Sequence, residues 1–194
     1  MQVSTARVLI AQISDLHIKP VGQRAYQRVD TAAAAARCIK DLTRFLPRPD
    51  FVIISGDLVD SPSKEAYDHL LALLSPLEIP FAAVPGNHDD RDLMRAALPD
   101  GYARPSGALH SLRVIGDVDV VLVDSTVPGR DYGTLDADSL VWLEGVLAAS
   151  PSRRRNSSAW RGAHAPLQAA GPVDAAAKWR RGRRHRANSA HPCD

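Results

Sequence analysis

Three short apolar runs punctuate the first half of the chain, and each breaks off into polar residues. They are residues 8–13, Phe51-Val52-Ile53-Ile54 and Phe81-Ala82-Ala83-Val84. Solid apolar runs bounded by turn residues read as strands buried on both faces. Between them, apolar residues return every three or four positions. Residues 25–46 put Ala32, Ala36, Ile39, Leu42 and Phe45 on one helix face, in an alanine-rich segment closed by Pro47 and Pro49. Residues 63–74 put Tyr67, Leu70, Leu71 and Leu74 on another, entered through Ser61-Pro62. Residues 91–98 predict a short helix capped by Asp89 or Asp90. The rhythm then changes. Residues 108–115 and 118–124 flank Gly116-Asp117 as an antiparallel hairpin, and a loop runs from 125 to 133. Residues 136–149 form a last helix, with Asp136 as N-cap and Leu140, Leu143, Val146 and Leu147 as its core stripe.

Strand and helix alternate three times before the hairpin, so the fold class is α/β, a sheet with helices packed on it. In such sheets ligands bind beyond the carboxyl ends of the strands. All three polar loops fall there.

The first loop carries Asp15 and His17, which an extended segment presents on one side. Carboxylate and imidazole together suit Mn, Fe or Zn. The second carries Asp57 after Gly56, a residue that allows a tight turn. Asp60 reads as a helper that orients this loop or caps the next helix. The third, Gly86-Asn87-His88-Asp89-Asp90-Arg91, offers an amide oxygen, an imidazole, carboxylates and a guanidinium. There Asp89 can hold the His88 ring or its own loop, and Arg91 can grip a phosphate through its fork of donors. Each loop alone is a plausible turn. Together they differ from chance: Asp15 and Asp57 are 42 residues apart and Asp57 and Asn87 are 30 apart, each about one crossover unit. A parallel sheet would bring them to one crevice.

These motifs, Asp15-Leu16-His17, Gly56-Asp57-Leu58-Val59-Asp60 and Gly86-Asn87-His88-Asp89, resemble those of the calcineurin-like metallophosphoesterases. Gly86 to Arg91, Leu122-Val123-Asp124-Ser125 and Gly133 to Leu135 look most like the bacterial cyclic-nucleotide phosphodiesterase branch, shared with glycerophosphodiesterases. The likeness covers roughly residues 7–150. It implies a four-layer αββα sandwich and two divalent metal ions. It implies that Asp15 and His17 bind the first ion, Asp57 bridges both, Asn87 binds the second, and His88 contacts the phosphate and assists the leaving oxygen. The implied reaction is hydrolysis of a small phosphodiester, a 3′,5′-cyclic nucleotide or a glycerophosphodiester, by a metal-activated hydroxide attacking phosphorus in line.

Charge divides the chain. Residues 1–150 hold 14 Lys/Arg against 20 Asp/Glu, a net −6; residues 151–194 hold 10 against 2, a net +8. The second part lacks apolar periodicity and contains Arg180-Arg181-Gly182-Arg183-Arg184-His185-Arg186, so it reads as a disordered basic tail. The domain is therefore expected at 1–150, with the fold incomplete beyond it. The resemblance calls for a His-His-Pro-Pro-like strand end and a Gly-His-x-His motif, and neither is present. His164 lies near where the first is due; His185 and His191 lack the context of ligands. We read the switch after Pro151 as a replaced or out-of-frame C-terminal half, which inspection of the coding DNA would test. Two other functions stay open at this point: an inactive fragment of such an enzyme, and polyanion or nucleic-acid binding through the tail, ranked last because Trp160 and Trp179 are its only aromatics. Cys38 and Cys193 form no disulfide framework, and no apolar run suits a signal peptide or a membrane span. The expectation is a cytoplasmic protein of undetermined oligomeric state.

Overall fold

The computed structural model describes residues 7–25, 27–98, 101–103 and 106–150. The three apolar runs form β1 (Ile10–Ser14), β2 (Phe51–Gly56) and β3 (Phe81–Pro85), a parallel sheet in the order β1-β2-β3. Ser14 pairs with Ser55 and Gly56 with Pro85, so all three strands end level with one another. Every residue of the central strand is buried.

Alternation along the strands separates two cores. Val52, Ile54 and Ala83 face helices α1 (Thr31–Arg44) and α2 (Lys64–Leu74), in a cluster with Ile39, Tyr67, Leu70 and Leu74. Phe51, Ile53, Ala82 and Val84 face the opposite way and pack on Val120 and Leu122. Those two belong to the antiparallel hairpin β4 (Ser111–Ile115) and β5 (Val118–Leu122). Helices, parallel sheet and hairpin are thus three stacked layers. Gly116 closes the hairpin with φ +59°, the positive value that a two-residue turn needs at its first position.

The elements match the sequence expectation in number and type, and differ in three details. Helix α1 starts at Thr31 because Asp30 caps it, accepting from the Ala33 amide at 2.9 Å. Its inner face is Ala35 and Ile39, while Ala36 and Phe45 are exposed. Helix α2 is capped by Ser63, whose hydroxyl accepts from the Ala66 amide at 3.2 Å, so Pro62 lies outside it. The largest difference is in α4 (Ala137–Ala148). Its expected core stripe is not buried: Leu140 and Leu147 are exposed, as is Val141. Trp142 stacks on the His110 ring at 4.7 Å, and Ser139 is the helix's one buried residue. Leu112 and Val114 on the outer face of the hairpin are exposed too. Among the described residues nothing covers this side, so a fourth helix layer is not built over the hairpin.

Candidate metal centre

Level strand ends bring the three loops together. The β1–β2 pairing continues past the strands: the amides of Asp15, His17 and Ile18 donate to the carbonyls of Ser55, Asp57 and Leu58, each at 3.0 Å. This runs the first two loops side by side. Asp57, buried at the tip of the central strand, occupies the middle. Its Oδ1 accepts from the His88 amide at 3.0 Å, and its Oδ2 lies 3.7 Å from His17 Nε2 and 3.9 Å from His88 Nε2. The two imidazoles meet edge to face, with centroids 5.2 Å apart. One donor atom each from His17, Asp57 and His88 falls within 4.8 Å of the other two. His17 Nδ1 is buried without a hydrogen-bond partner. A carboxylate between two imidazoles, at distances too long for hydrogen bonds, fits a divalent cation.

The other expected residues sit around this centre. Asp15 Oδ1 accepts a long bond, 3.4 Å, from the Asp57 amide. Asn87 is exposed on the third loop, next to His88. His164, His185, His191 and the basic tail lie outside the described residues.

The model of the calcineurin-like phosphoesterases matches residues 8–175. The chain belongs to the calcineurin-like phosphoesterase family. Among curated relatives, a probable glycerophosphodiester phosphodiesterase of Arcobacter nitrofigilis is 33% identical over 149 residues, covering 76% of this chain and 54% of that protein. The cAMP/cGMP dual specificity phosphodiesterase of Mycobacterium tuberculosis is 33% identical over 144 residues, 72% of this chain and 45% of the relative. The 3′,5′-cyclic adenosine monophosphate phosphodiesterase of Escherichia coli is 32% identical over 149 residues, 76% and 53%. The chain spans about half the length of the relatives it matches. Among its described residues no helix is long and apolar enough to cross a membrane.

Around the centre the residues pair in ways the motifs alone do not show. Asp89 does not hold the His88 ring. Its Oδ2 accepts from the amides of Gly86 and Leu58 at 2.9 and 3.0 Å, and its Oδ1 from Tyr67 Oη at 2.9 Å and the Val59 amide at 3.3 Å. It thereby ties the third loop to the second and to α2. Asp90, not Asp89, caps α3 (Arg91–Ala97), accepting from the amides of Asp92 and Leu93. The His88 ring is held by the Asp60 carbonyl, 2.7 Å from Nδ1. A carbonyl only accepts, so the proton sits on Nδ1 and Nε2 faces the centre. The Asp60 side chain caps no helix; burial raises its carboxyl's pKa, but pairing with Lys19, together with the nearby His17 and His88, leaves it lowered.

Burial pushes the Asp89 carboxyl up to about 6, against the pull of its four donors. A raised folded value means the folded state holds the proton more tightly. Its contribution to stability is fully present below the unfolded pKa, about 4, and is lost as pH rises through about 6. For the metal-free chain, denaturant titrations should show stability falling between about pH 4 and 6 by on the order of 3 kcal/mol. Asp89→Asn should flatten that fall.

Arg91 is engaged elsewhere than at a phosphate. Its Nε donates to Asp124 Oδ2 at 2.8 Å and one Nη to the Thr126 carbonyl at 2.7 Å. The Asp124 side chain is fully buried. It also accepts from the amides of Leu109 and Thr126, both at 2.8 Å, and from the Thr126 hydroxyl at 2.6 Å. The Asp124 amide donates to His110 Nδ1 at 3.1 Å, which places the His110 proton on Nε2, 2.8 Å from Ser139 Oγ. This network joins α3, directly behind the third loop, to the hairpin and α4. In the sequence Asp124 closes an apolar run within Leu122-Val123-Asp124-Ser125, which does not reveal its partner. Asp124→Ala strands the Arg91 charge and several donors in the interior. It is expected to cost about 3–5 kcal/mol, measured by urea unfolding.

Proposed function

We propose that the chain is a metal-dependent phosphodiesterase for small phosphodiesters, 3′,5′-cyclic nucleotides or glycerophosphodiesters, holding two divalent ions, Mn, Fe or Zn. The observation that carries this is the convergence of His17, Asp57 and His88 at the level ends of a parallel sheet. Relatives named as cyclic-nucleotide and glycerophosphodiester phosphodiesterases support it. It is also what favours an enzyme over an inactive fragment: donor groups from separate loops are brought to one point.

In this reading Asp15, His17, Asp57 and Asn87 would hold the ions, while His88, whose Nε2 lies 3.9 Å from Asp57 Oδ2, faces the phosphate beside them. When bound there, divalent cations would neutralise phosphoryl charge and lower the pKa of a water. Asp57, between the two imidazoles, aligns both sides of the site. His88 handles the proton. With Nδ1–H committed to the Asp60 carbonyl, its Nε2 is the free end; protonated, it donates to the departing oxygen. Asp89 keeps the second and third loops in register, and Arg91 anchors the third loop to the hairpin.

The test is hydrolysis of cyclic AMP, a glycerophosphodiester and bis(p-nitrophenyl) phosphate by the full chain, stripped with chelator and reloaded with Mn²⁺. Turnover should appear only with metal. His88→Ala should lower kcat about 10²- to 10⁴-fold while Mn²⁺ still binds. No turnover by the wild-type chain at saturating metal would sink the reading.

A further inference from the structure

The turn Asp15-Leu16-His17 takes left-handed backbone at two residues that carry a Cβ. Asp15 has φ +56° and His17 φ +46°, two of the three non-glycine residues with positive φ among those described. Left-handed backbone is strained for a residue with a Cβ and persists only where the surroundings over-determine it. The His17 ring does not do this for itself. Its Nδ1 has no hydrogen-bond partner, and its Nε2 and Nδ1 lie 3.7 Å from Asp57 Oδ2 and Asp60 Oδ1, too far to bond. The aim of the ring therefore follows from its backbone.

That backbone is gripped from two sides. On the sheet side, the amides of Asp15, His17 and Ile18 donate to the extension of β2. On the helix side, the carbonyls are taken. Thr31 Oγ1, in the first residue of α1, donates to the His17 carbonyl at 2.9 Å. His69 Nδ1, on α2, lies 2.6 Å from the Lys19 carbonyl, and against a carbonyl it must carry the proton. Ile18 between them is fully buried.

We propose that Thr31 and His69 are positioning residues: hydrogen bonds from the helix layer to the His17 and Lys19 carbonyls hold the Asp15-His17 turn in its left-handed form and so aim His17 at the centre. The two residues lie outside all three motif loops. The inference rests on the metal site proposed above for its consequence, but not for its geometry.

The experiment uses the full chain with Thr31→Val, which keeps the shape and removes the hydroxyl, and Thr31→Ser, which restores it. Two readouts are taken: Mn²⁺ affinity by titration, and hydrogen exchange of the His17 and Ile18 amides in the metal-free chain. Thr31→Val should weaken Mn²⁺ binding about 10-fold and speed exchange at both amides, with global unfolding little changed. Thr31→Ser should restore both. His69→Phe keeps a ring of similar bulk without the donor and should speed Ile18 exchange, which decides the matter should Thr31→Val not fold. Unchanged exchange in Thr31→Val and His69→Phe overturns the proposal, as does Thr31→Ser behaving like Thr31→Val. A wild-type chain that binds no Mn²⁺ defeats the proposed function instead, and the exchange readout still decides this one.

Discussion

Asp57→Asn is expected to reduce metal-dependent phosphodiester hydrolysis by about three orders of magnitude or more while leaving the chain folded. Asp57 is buried at the tip of the central strand, where Oδ1 receives the His88 amide and Oδ2 faces two imidazoles. Asparagine has nearly the same shape. Its carbonyl oxygen can keep the His88 amide bond, so the third loop stays in place. Its NH₂ group must then point at His17 and His88, replacing an anionic oxygen by a donor where two ring nitrogens need a shared partner. The site loses one negative charge between the two imidazoles, where the candidate ligand atoms converge. Mn²⁺ titration, circular dichroism and hydrolysis of bis(p-nitrophenyl) phosphate together separate this from unfolding. An Asn variant that keeps more than about a tenth of wild-type turnover would place the reacting phosphate away from Asp57.

Asp57 was conspicuous in the sequence because it followed a solid apolar run, and so were Asp15, His17 and His88. Buried parallel strands have an unmistakable pattern, and their ends are where polar residues stand out. What the motifs could not show was how the polar atoms pair. Asp89 and Arg91 stand in the same loop as His88 and have the same chemical eligibility. The structure turns Asp89 toward Leu58, Gly86 and Tyr67, and Arg91 toward Asp124, 33 positions further along the chain. Those partnerships depend on tertiary geometry, which no local spacing encodes. Helix α4 fails for a different reason. Its spacing predicts a core stripe of Leu140, Leu143, Val146 and Leu147, but Leu140 and Leu147 are exposed, and Ser139 and Trp142 tie the helix to His110. Periodicity reports which face could be buried, not whether anything is there to bury it. Thr31 and His69 were invisible as site residues, since a helix threonine and histidine that donate to distant carbonyls leave no pattern.

Gly86→Ala is expected to damage both the fold and the centre. A Cβ at Gly86 would stand 2.0 Å from Asp57 Oδ1, 2.5 Å from the Asp57 amide nitrogen and 2.6 Å from the Gly56 carbonyl carbon. The methyl would occupy the place of the Asp57 carboxylate, and two of its three nearest neighbours are backbone of the central strand's end, which cannot swing aside as a side chain could. Relief requires the third loop to move off β2. That movement would break the Leu58 and Val59 bonds to Asp89 and the His88 amide bond to Asp57. Overpacking in a well-filled interior costs about 1–3 kcal/mol, and the broken bonds at Asp89 add about 1 kcal/mol each. A total loss on the order of 3–5 kcal/mol is therefore expected by urea unfolding, with Mn²⁺ binding lost even at temperatures where the chain stays folded. Gly145→Ala is the matching control. It lies in α4 with nothing within 4 Å of the added methyl, and there alanine should stabilise by about 0.5–1 kcal/mol through its better helix propensity. If Gly86→Ala is as harmless as Gly145→Ala, then the second and third loops do not approach each other as closely as the three-loop centre requires.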